Sequence, residues 1–310
     1  MISIITPVYN EGEQIYSNVV KIMSILLKNN IEHDFIIVND GSSDNSWQEM
    51  QRLCKNYNNI SIINLSRNFG KEAALCAALE NTYSDACIII DSDLQHPPEL
   101  IPKMVELWKE EGYDVIEGIK LSRGKESLFE KIAALTFYGL FYKSSGINLN
   151  SASDFKLLDK KVIDAWKSMK ESITFFRGMS AWIGYRRIQI PFEVQDRAQG
   201  VSKWSFKSLT KLAIQSITSY TSAPLYMIIW LGIFTLFFDF ILFIQTMFMK
   251  FSGKALTGFT TVIILILGIG SCIMISLGII GIYISKIYDE VKRRPRYLIS
   301  SKEGKGFSND

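Results

Sequence analysis

Short, mostly apolar runs recur in the first 120 residues, and a polar turn and a helical repeat follow most of them. The runs cover residues 2–5, 35–38, 60–65, 86–90 and 113–117. Runs of this length in which apolar residues do not simply alternate with polar ones are typical of strands that are buried on both faces. Apolar residues between the first two runs recur at helical spacing, at Ile15, Val19, Ile22 and Leu26. This alternation predicts an α/β domain in which helices cover a mostly parallel sheet.

The pattern is less regular after residue 120. Residues 126–143 are helical in spacing but apolar on most faces, which fits either a buried core helix or a helix near the membrane surface. We expect a strand over 153–158, a helix ending near residue 169, a helix over 174–183 and a strand over 186–191.

Two long apolar stretches, residues 225–249 and 259–284, dominate the last third of the chain. Each exceeds the ~20 residues that cross a bilayer as a helix. A basic amphipathic helix over 206–222 precedes them, and we expect it to lie along the headgroups. Basic residues follow the second stretch at Lys286, Lys292, Arg293, Arg294 and Arg296. The positive-inside rule places that end in the cytosol, and two spans return it to the side of the N-terminal domain.

The predicted organisation has four parts: an N-terminal domain (1–195), a loop with the amphipathic helix (196–222), a membrane hairpin (223–285) and a basic cytosolic tail (286–310). No basic leader precedes the first apolar run, so we expect the N-terminal domain to stay in the cytosol. Asp239 is the one charge in the first span, where it fits either a functional contact or a helix-packing contact.

Composition narrows the class of protein. A net charge of +3 is too small to indicate a nucleic-acid partner. The cysteines show no metal-type spacing and are interpreted as buried free thiols: Cys54, Cys76, Cys87 and Cys272. His33 and His96 are too far apart to suggest a histidine-based metal site. The chain lacks a Gly-x-Gly-x-x-Gly sequence after its first strand and lacks a Walker-type loop, which argues against a dinucleotide fold and a P-loop enzyme.

Two carboxylates one residue apart, Asp91 and Asp93, end the apolar run over 86–90. Ligands of open α/β sheets bind at the carboxyl ends of strands. Two oxygen ligands there suit Mg²⁺ or Mn²⁺ carried in by a substrate diphosphate. Alternatively, both residues serve only as turn and cap residues before a helix that begins near Glu99.

Further polar motifs follow one another in order. They are TPVYNE (6–11), VNDGSSD (38–44), RNFGK (67–71), DSDLQHPPE (91–99), SDFK (153–156), GVSKW (200–204) and KRRPRY (292–297). Together they resemble the family 2 inverting glycosyltransferases, and within these the branch that makes polyprenyl-phosphate sugars, which includes dolichol-phosphate mannose synthases and bactoprenol glucosyltransferases. The resemblance implies a GT-A fold, which is Rossmann-like. Two positions depart from the pattern: His96 stands where Asp is usual, and Trp204 replaces Tyr or Phe.

The resemblance also implies roles for individual residues. Asp91, Asp93 and Asp154 are the expected catalytic residues, with Asp91 and Asp93 on the metal. The nucleotide sugar is expected to contact Pro7, Tyr9, Glu11, Asp40, Lys71, Asp91, Ser92 and Gln95. The acceptor phosphate is expected to contact Arg123, Arg177, Arg197, Ser202 and Lys203. Asp154 is interpreted either as a general base or as a residue that positions substrate, because a phosphate acceptor is already anionic near neutral pH.

The predicted reaction is transfer of a hexose, with glucose from UDP-glucose as the expected case, to undecaprenyl phosphate at the bacterial cytoplasmic membrane. The lipid-linked sugar would serve cell-envelope glycosylation. GDP-mannose, UDP-GalNAc and UDP-GlcNAc are the alternative donors. A processive polysaccharide synthase would need more spans and a Gln-x-x-Arg-Trp motif, and an inactive membrane scaffold would be expected to have lost its acidic residues. The resemblance further suggests a homotetramer.

Overall fold

The structure is a computed structural model, and it describes residues 1–120, 139, 153–169, 171, 175–192, 222–253 and 258–304. The chain divides into two compact units, one formed by Met1–Trp204 with Arg294–Asp310 and the other by Ser205–Arg293. Apart from residues 139 and 222, the helix predicted over 126–143 and the amphipathic helix over 206–222 lie outside the described residues.

The described strands are β1 (Ile2–Val8), β2 (His33–Asn39), β3 (Ile60–Leu65), β4 (Ala86–Ile89), β5 (Val115–Lys120), β6 (Lys156–Asp159), β7 (Arg187–Phe192) and β8 (Ile299–Glu303). The described helices are α1 (Gln14–Lys28), α2 (Ser46–Asn56), α3 (Lys71–Glu80), α4 (Ile101–Lys109), α5 (Lys160–Ser168), α6 (Phe176–Trp182), α7 (Ala223–Phe251) and α8 (Phe259–Val291). A 3₁₀ turn, Pro98–Leu100, precedes α4.

Within the described residues, the strands form an eight-stranded sheet in the order β7-β5-β6-β4-β1-β2-β3-β8. Strand β1 pairs in parallel with β2 and with β4, and β5 pairs in parallel with β7. Strand β6 is antiparallel to both of its neighbours, and β8 is antiparallel to β3. The predicted mostly parallel α/β sheet is therefore confirmed. The strand order reverses between β1 and β4, and such switch points are where open α/β sheets bind ligands.

The core lies on both faces of the central strands. Ile4, Phe35 and Ile88 are fully buried, and Ile4 lies opposite both of the other two in the sheet register. Helix α3 is buried along most of its length because small side chains, from Ala73 to Ala78, let it pack closely on the sheet. Its N-terminus is thereby fixed beside the ends of β1 and β2. The four cysteines are free thiols, two of them buried and two half-buried.

The segment after α8 joins the sheet of the first unit. The Arg296 guanidinium donates to the carbonyl oxygens of Met169 (2.6 Å) and Glu171 (2.7 Å), and the Tyr297 hydroxyl donates to Glu80. Strand β8 then pairs with β3. Strand β8 lies in the segment predicted as a basic tail, and its sequence does not indicate a strand because Ile299 is the one apolar residue of Ile299–Glu303.

The second unit contains two long apolar helices. Helix α7 has 29 residues and α8 has 33, so each is longer than the ~30 Å hydrocarbon core at about 1.5 Å per residue. Large apolar side chains such as Trp230 and Phe234 are exposed on α7. The two helices have the length and composition to cross a membrane. Asp239 lies within α7 and is half-buried, and its role stays a prediction.

Candidate active site

The carboxyl ends of β1, β2 and β4 meet at a cavity of about 310 Å³. This volume is at the lower end of the ~300–1,000 Å³ range of small-molecule sites. The cavity is lined by Pro7, Val8, Tyr9, Glu11, Asp40, Asn68, Gly70, Lys71, Asp91, Ser92 and Asp93. Seven of the eight residues predicted to contact a nucleotide sugar therefore lie around one cavity. The eighth, Gln95, is not among the lining residues, and its backbone N–H donates to Asp93 Oδ1 at 3.0 Å.

The turn after β1 forms one wall. Ser46 Oγ accepts hydrogen bonds from the backbone N–H groups of Glu11 and Gly12, both at 2.9 Å, and so fixes the turn to the start of α2. The Tyr9 ring is 49% exposed, which leaves a face open to a planar ligand. Burial raises the pKa of the Glu11 carboxyl, as does the nearby charge of Asp93, while a hydrogen bond with Ser92 opposes the rise.

Asp40, at the end of β2, forms the opposite wall. Its buried carboxylate accepts hydrogen bonds from the backbone N–H groups of Phe69 (2.8 Å) and Gly70 (2.9 Å). Burial raises the pKa of Asp40, and these two donors oppose the rise. Gly41 has φ +64°, and a Cβ there would overlap the backbone of Arg67. Asp40 and Gly41 therefore hold the loop that leads to Lys71 against the end of β2.

The Asp91-Ser92-Asp93 turn carries the acidic pair. Ser92 is buried, and its carbonyl accepts a hydrogen bond from Asn18 Nδ2 at 2.6 Å. Leu94 has φ +56°, which allows the Asp93 carboxylate to accept from the Gln95 backbone. Asp93 thus makes the turn contact that the alternative interpretation predicted. This bond uses one oxygen atom of a carboxylate that also faces the cavity.

The acidic pair fits a divalent ion that arrives with a ligand. Carboxylate oxygens are the ligands that Mg²⁺ and Mn²⁺ prefer. In the part of the chain that the structure describes, no group of three or more His, Cys, Asp or Glu side chains is placed to hold a metal ion. Asp91 and Asp93 would therefore supply two ligands, and a diphosphate and water the others, as is usual for Mg²⁺.

Lys71 joins the acidic turn to Asp154. Its Nζ lies 2.6 Å from Asp91 Oδ1 and 2.8 Å from Asp154 Oδ2. Arg177, at the start of α6, grips the same Asp154 through Nε (2.7 Å) and Nη2 (3.1 Å). Burial opposes ionisation of Asp154, but the charges of Lys71 and Arg177 outweigh it and hold the pKa of this carboxyl well below its usual range. Asp154 is therefore a stable anion between two cations.

Arg177 is the one predicted acceptor-phosphate residue within the described part of the chain. The other four, Arg123, Arg197, Ser202 and Lys203, lie outside it. Arg177 is held by Asp154, and its side chain is 41% exposed.

Glu72 fixes the backbone next to Arg177. Its carboxylate accepts a hydrogen bond from the Phe176 backbone N–H at 2.6 Å, which attaches the start of α6 to the first turn of α3. Burial raises the pKa of Glu72 to about 7. The sequence analysis missed this residue because a glutamate in the first turn of a helix is ordinarily a surface residue.

A buried ion pair lies behind Asp154. Lys156 Nζ is 3.0 Å from Glu117 Oε1, and each side chain is 1% exposed. Lys156 also donates to Ser180 Oγ at 2.7 Å, and Glu117 accepts from the Ser153 backbone N–H at 3.3 Å. The ring of His96 stacks on Phe155 with a centroid distance of 5.3 Å. Sequence reasoning missed the Glu117–Lys156 pair, because nothing in the sequence indicates that two distant charged residues share the interior.

Comparison with known proteins identifies a family and several relatives of this chain. The model of the family described as Glycosyl transferase family 2 matches residues 3–164. An uncharacterised glycosyltransferase of Synechocystis is 35% identical over 98% of this chain and 96% of its own length. The bactoprenol glucosyl transferase of Shigella phage SfX is 32% identical over 97% of this chain and 99% of its own length.

Among solved structures, the glucosyl-3-phosphoglycerate synthase of Mycobacterium tuberculosis, in complex with Mn²⁺, UDP-glucose and phosphoglyceric acid, is similar in fold. It is 20% identical, with a TM-score of 0.50, and the match covers 71% of this chain and 78% of that one. The similarity supports the GT-A-like α/β fold of the first unit.

Proposed function

Because the chain belongs to glycosyl transferase family 2, we propose that it transfers one hexose, glucose from UDP-glucose, to undecaprenyl phosphate with inversion at the anomeric carbon. The observation that carries the proposal is the meeting of the acidic pair and Lys71 at one cavity, with Arg177 bound to the Asp154 carboxylate that Lys71 also contacts. The full-length match to a bactoprenol glucosyl transferase supports a polyprenol acceptor.

The cavity suits a nucleoside diphosphate sugar. Tyr9 offers a ring face to the base, and the loop that Asp40 holds closes the other side. Asp91 and Asp93 would hold Mg²⁺ or Mn²⁺, which would neutralise the charge that develops on the departing diphosphate. The N-terminus of α3 adds a partial positive charge at Gly70 and Lys71, which also line the cavity.

The acceptor phosphate needs cations more than it needs a base. The second pKa of a phosphate monoester is about 6, so its oxygen is already an anion near neutral pH. Asp154, whose pKa is far below that, is a poor proton acceptor there. We therefore assign Asp154 to positioning: it orients Arg177 towards the acceptor phosphate and Lys71 towards the donor. The phosphate oxygen bonds to the anomeric carbon, the bond from that carbon to the diphosphate breaks, and UDP leaves with the electron pair.

The two apolar helices would place the reaction at the cytoplasmic membrane, where the lipid acceptor lies. We propose that both chain ends are cytosolic, because the basic residues after α8 include Lys292, Arg293 and Arg294. Whether the protein assembles as the homotetramer that the resemblance suggests is tested by its mass in detergent.

The proposal is tested by incubating the purified full-length protein with undecaprenyl phosphate, Mg²⁺ and a panel of radiolabelled UDP- and GDP-sugars. We expect chloroform-soluble label from UDP-glucose, and its loss with EDTA and in Asp93→Ala. Asp164→Ala, which removes an exposed carboxylate from α5, is the matched control and is expected to keep full activity. Label from another donor would correct the sugar, and no label from any donor would refute the proposal.

A further inference from the structure

We propose that Lys71 is an exchangeable cation of the donor site, which competes with the divalent ion for Asp91 and transfers to the donor diphosphate when that ion binds. The inference rests on the proposed function and adds a coupling between metal and nucleotide to it. The side chain would thus be a competitor of the metal when the metal binds alone and a ligand of the nucleotide when both are bound.

The first observation is the contact between Lys71 and Asp91. The ammonium lies 2.6 Å from Asp91 Oδ1, an oxygen atom of a carboxylate at which a divalent ion would bind. Two cations cannot share one carboxylate closely without repulsion, which is strong at short range in a partly desolvated site. A divalent ion on Asp91 therefore weakens the bond from Lys71.

The second observation is the balance of charge around Lys71. Asp91 contacts Lys71, Lys71 contacts Asp154, and Asp154 contacts Arg177, so two negative and two positive charges alternate along this chain of contacts. A divalent ion on Asp91 and Asp93 adds two positive charges and involves one further carboxylate, that of Asp93, so the ion alone leaves an excess of positive charge among these residues. A nucleoside diphosphate restores the balance, so the ion and the nucleotide are expected to favour each other's binding.

The third observation is the position of Lys71, whose backbone begins a packed helix and whose side chain lines the cavity. Its backbone begins α3, which is packed against the sheet, while its side chain is 39% exposed and lines the cavity. A lysine side chain has four carbon atoms and turns freely, so its ammonium can exchange partners without movement of the backbone. The cavity that it faces is the one that would hold the diphosphate.

The test measures binding of Mn²⁺ to the metal-free, full-length protein in detergent, by the loss of the electron paramagnetic resonance signal of free Mn²⁺. In Lys71→Met we expect Mn²⁺ alone to bind about tenfold more tightly, because the competing charge is gone. We expect UDP to bind about tenfold more weakly in the presence of Mn²⁺, because a charged hydrogen bond to the diphosphate is lost.

The opposite signs separate this role from a structural one, since a distorted site weakens both ligands. Lys21→Met, which removes an exposed lysine from α1, is the matched control and is expected to leave both affinities unchanged. If circular dichroism shows that Lys71→Met is unfolded, Lys71→Gln, which keeps hydrogen-bond donors for Asp154, replaces it with the same expected shifts.

Unchanged or weaker binding of Mn²⁺ alone would overturn the inference, and so would unchanged binding of UDP with Mn²⁺. Neither measurement requires sugar transfer. Opposite shifts in a protein that transfers no sugar would support the role of Lys71 and refute the proposed reaction. Sugar transfer by a protein without these shifts would support the proposed reaction and refute the role of Lys71.

Discussion

Replacing Asp154 by asparagine tests whether this residue accepts a proton or positions two cations. The substitution keeps the shape of the side chain and removes its charge. In the wild-type protein the Asp154 carboxylate accepts hydrogen bonds from Lys71 at 2.8 Å and from Arg177 at 2.7 and 3.1 Å. Losing one charged hydrogen bond costs about 1.5–3 kcal/mol. Because Lys71 and Arg177 are 39% and 41% exposed, solvent reduces the effect, and the lower end of this range applies.

The expected result for Asp154→Asn is a decrease of about tenfold in kcat/KM for undecaprenyl phosphate. The assay measures initial rates of transfer from UDP-glucose between pH 5 and 9. The pKa of Asp154 lies far below this window, so its titration contributes no change of rate there. We expect the rate to fall on the acid side with a midpoint near 6, where the acceptor phosphate gains a proton. That midpoint should be the same in the variant and in the Asp164→Asn control.

A different outcome would refute the positioning role. If Asp154 were the base, its low pKa would give no acid limb of its own in this window, and Asp154→Asn would instead lose most of its activity at every pH between 5 and 9. A much larger loss of kcat with no change in KM for the acceptor would point the same way.

Three further predictions concern stability. Lys156→Met leaves Glu117 buried and unpaired and should lower the free energy of unfolding by about 3–5 kcal/mol, whereas the double variant with Glu117→Gln should recover part of this loss in denaturant titrations. The raised pKa of Glu72 means that the folded protein binds a proton more tightly than the unfolded chain, so its contribution is full below about pH 4.5 and is lost as the pH rises to about 7. Glu72→Gln should therefore be more stable relative to wild type at pH 8 than at pH 5, and an unchanged difference in unfolding temperature would contradict this. Removing residues 294–310 should lower the unfolding temperature of the first unit, because it exposes the edge of β3 and removes the Arg296 contacts; an unchanged temperature would show that β8 adds nothing.

The central fold could be predicted because its strands are short, mostly apolar runs that alternate with segments of helical spacing. Strand β8 could not, because its alternating sequence has little apolar character and its partner, β3, lies more than 230 residues earlier in the chain. The two membrane-length helices followed from length and composition alone, and the structure contains both.

The candidate site was predictable where side chains follow the ends of strands, as Asp40 and Asp91 do. It was not predictable where a charge meets its partner through tertiary structure. Lys71 was expected at the donor, and its contact with Asp154 depends on how α3 packs on β1 and β2. Glu72 shows the same limit, because its partner is a backbone N–H group about a hundred residues away.

The most direct test of the proposed reaction compares acceptors that differ only in the phosphate. Purified full-length protein, UDP-[¹⁴C]glucose and Mg²⁺ are incubated with undecaprenyl phosphate, with undecaprenol or with no lipid, and the chloroform-soluble label is counted. We expect labelled lipid with undecaprenyl phosphate alone, because the phosphate supplies both the nucleophile and the charge that Arg177 recognises. Equal transfer to undecaprenol, or no labelled lipid with either acceptor, would contradict the proposed transfer to a lipid phosphate.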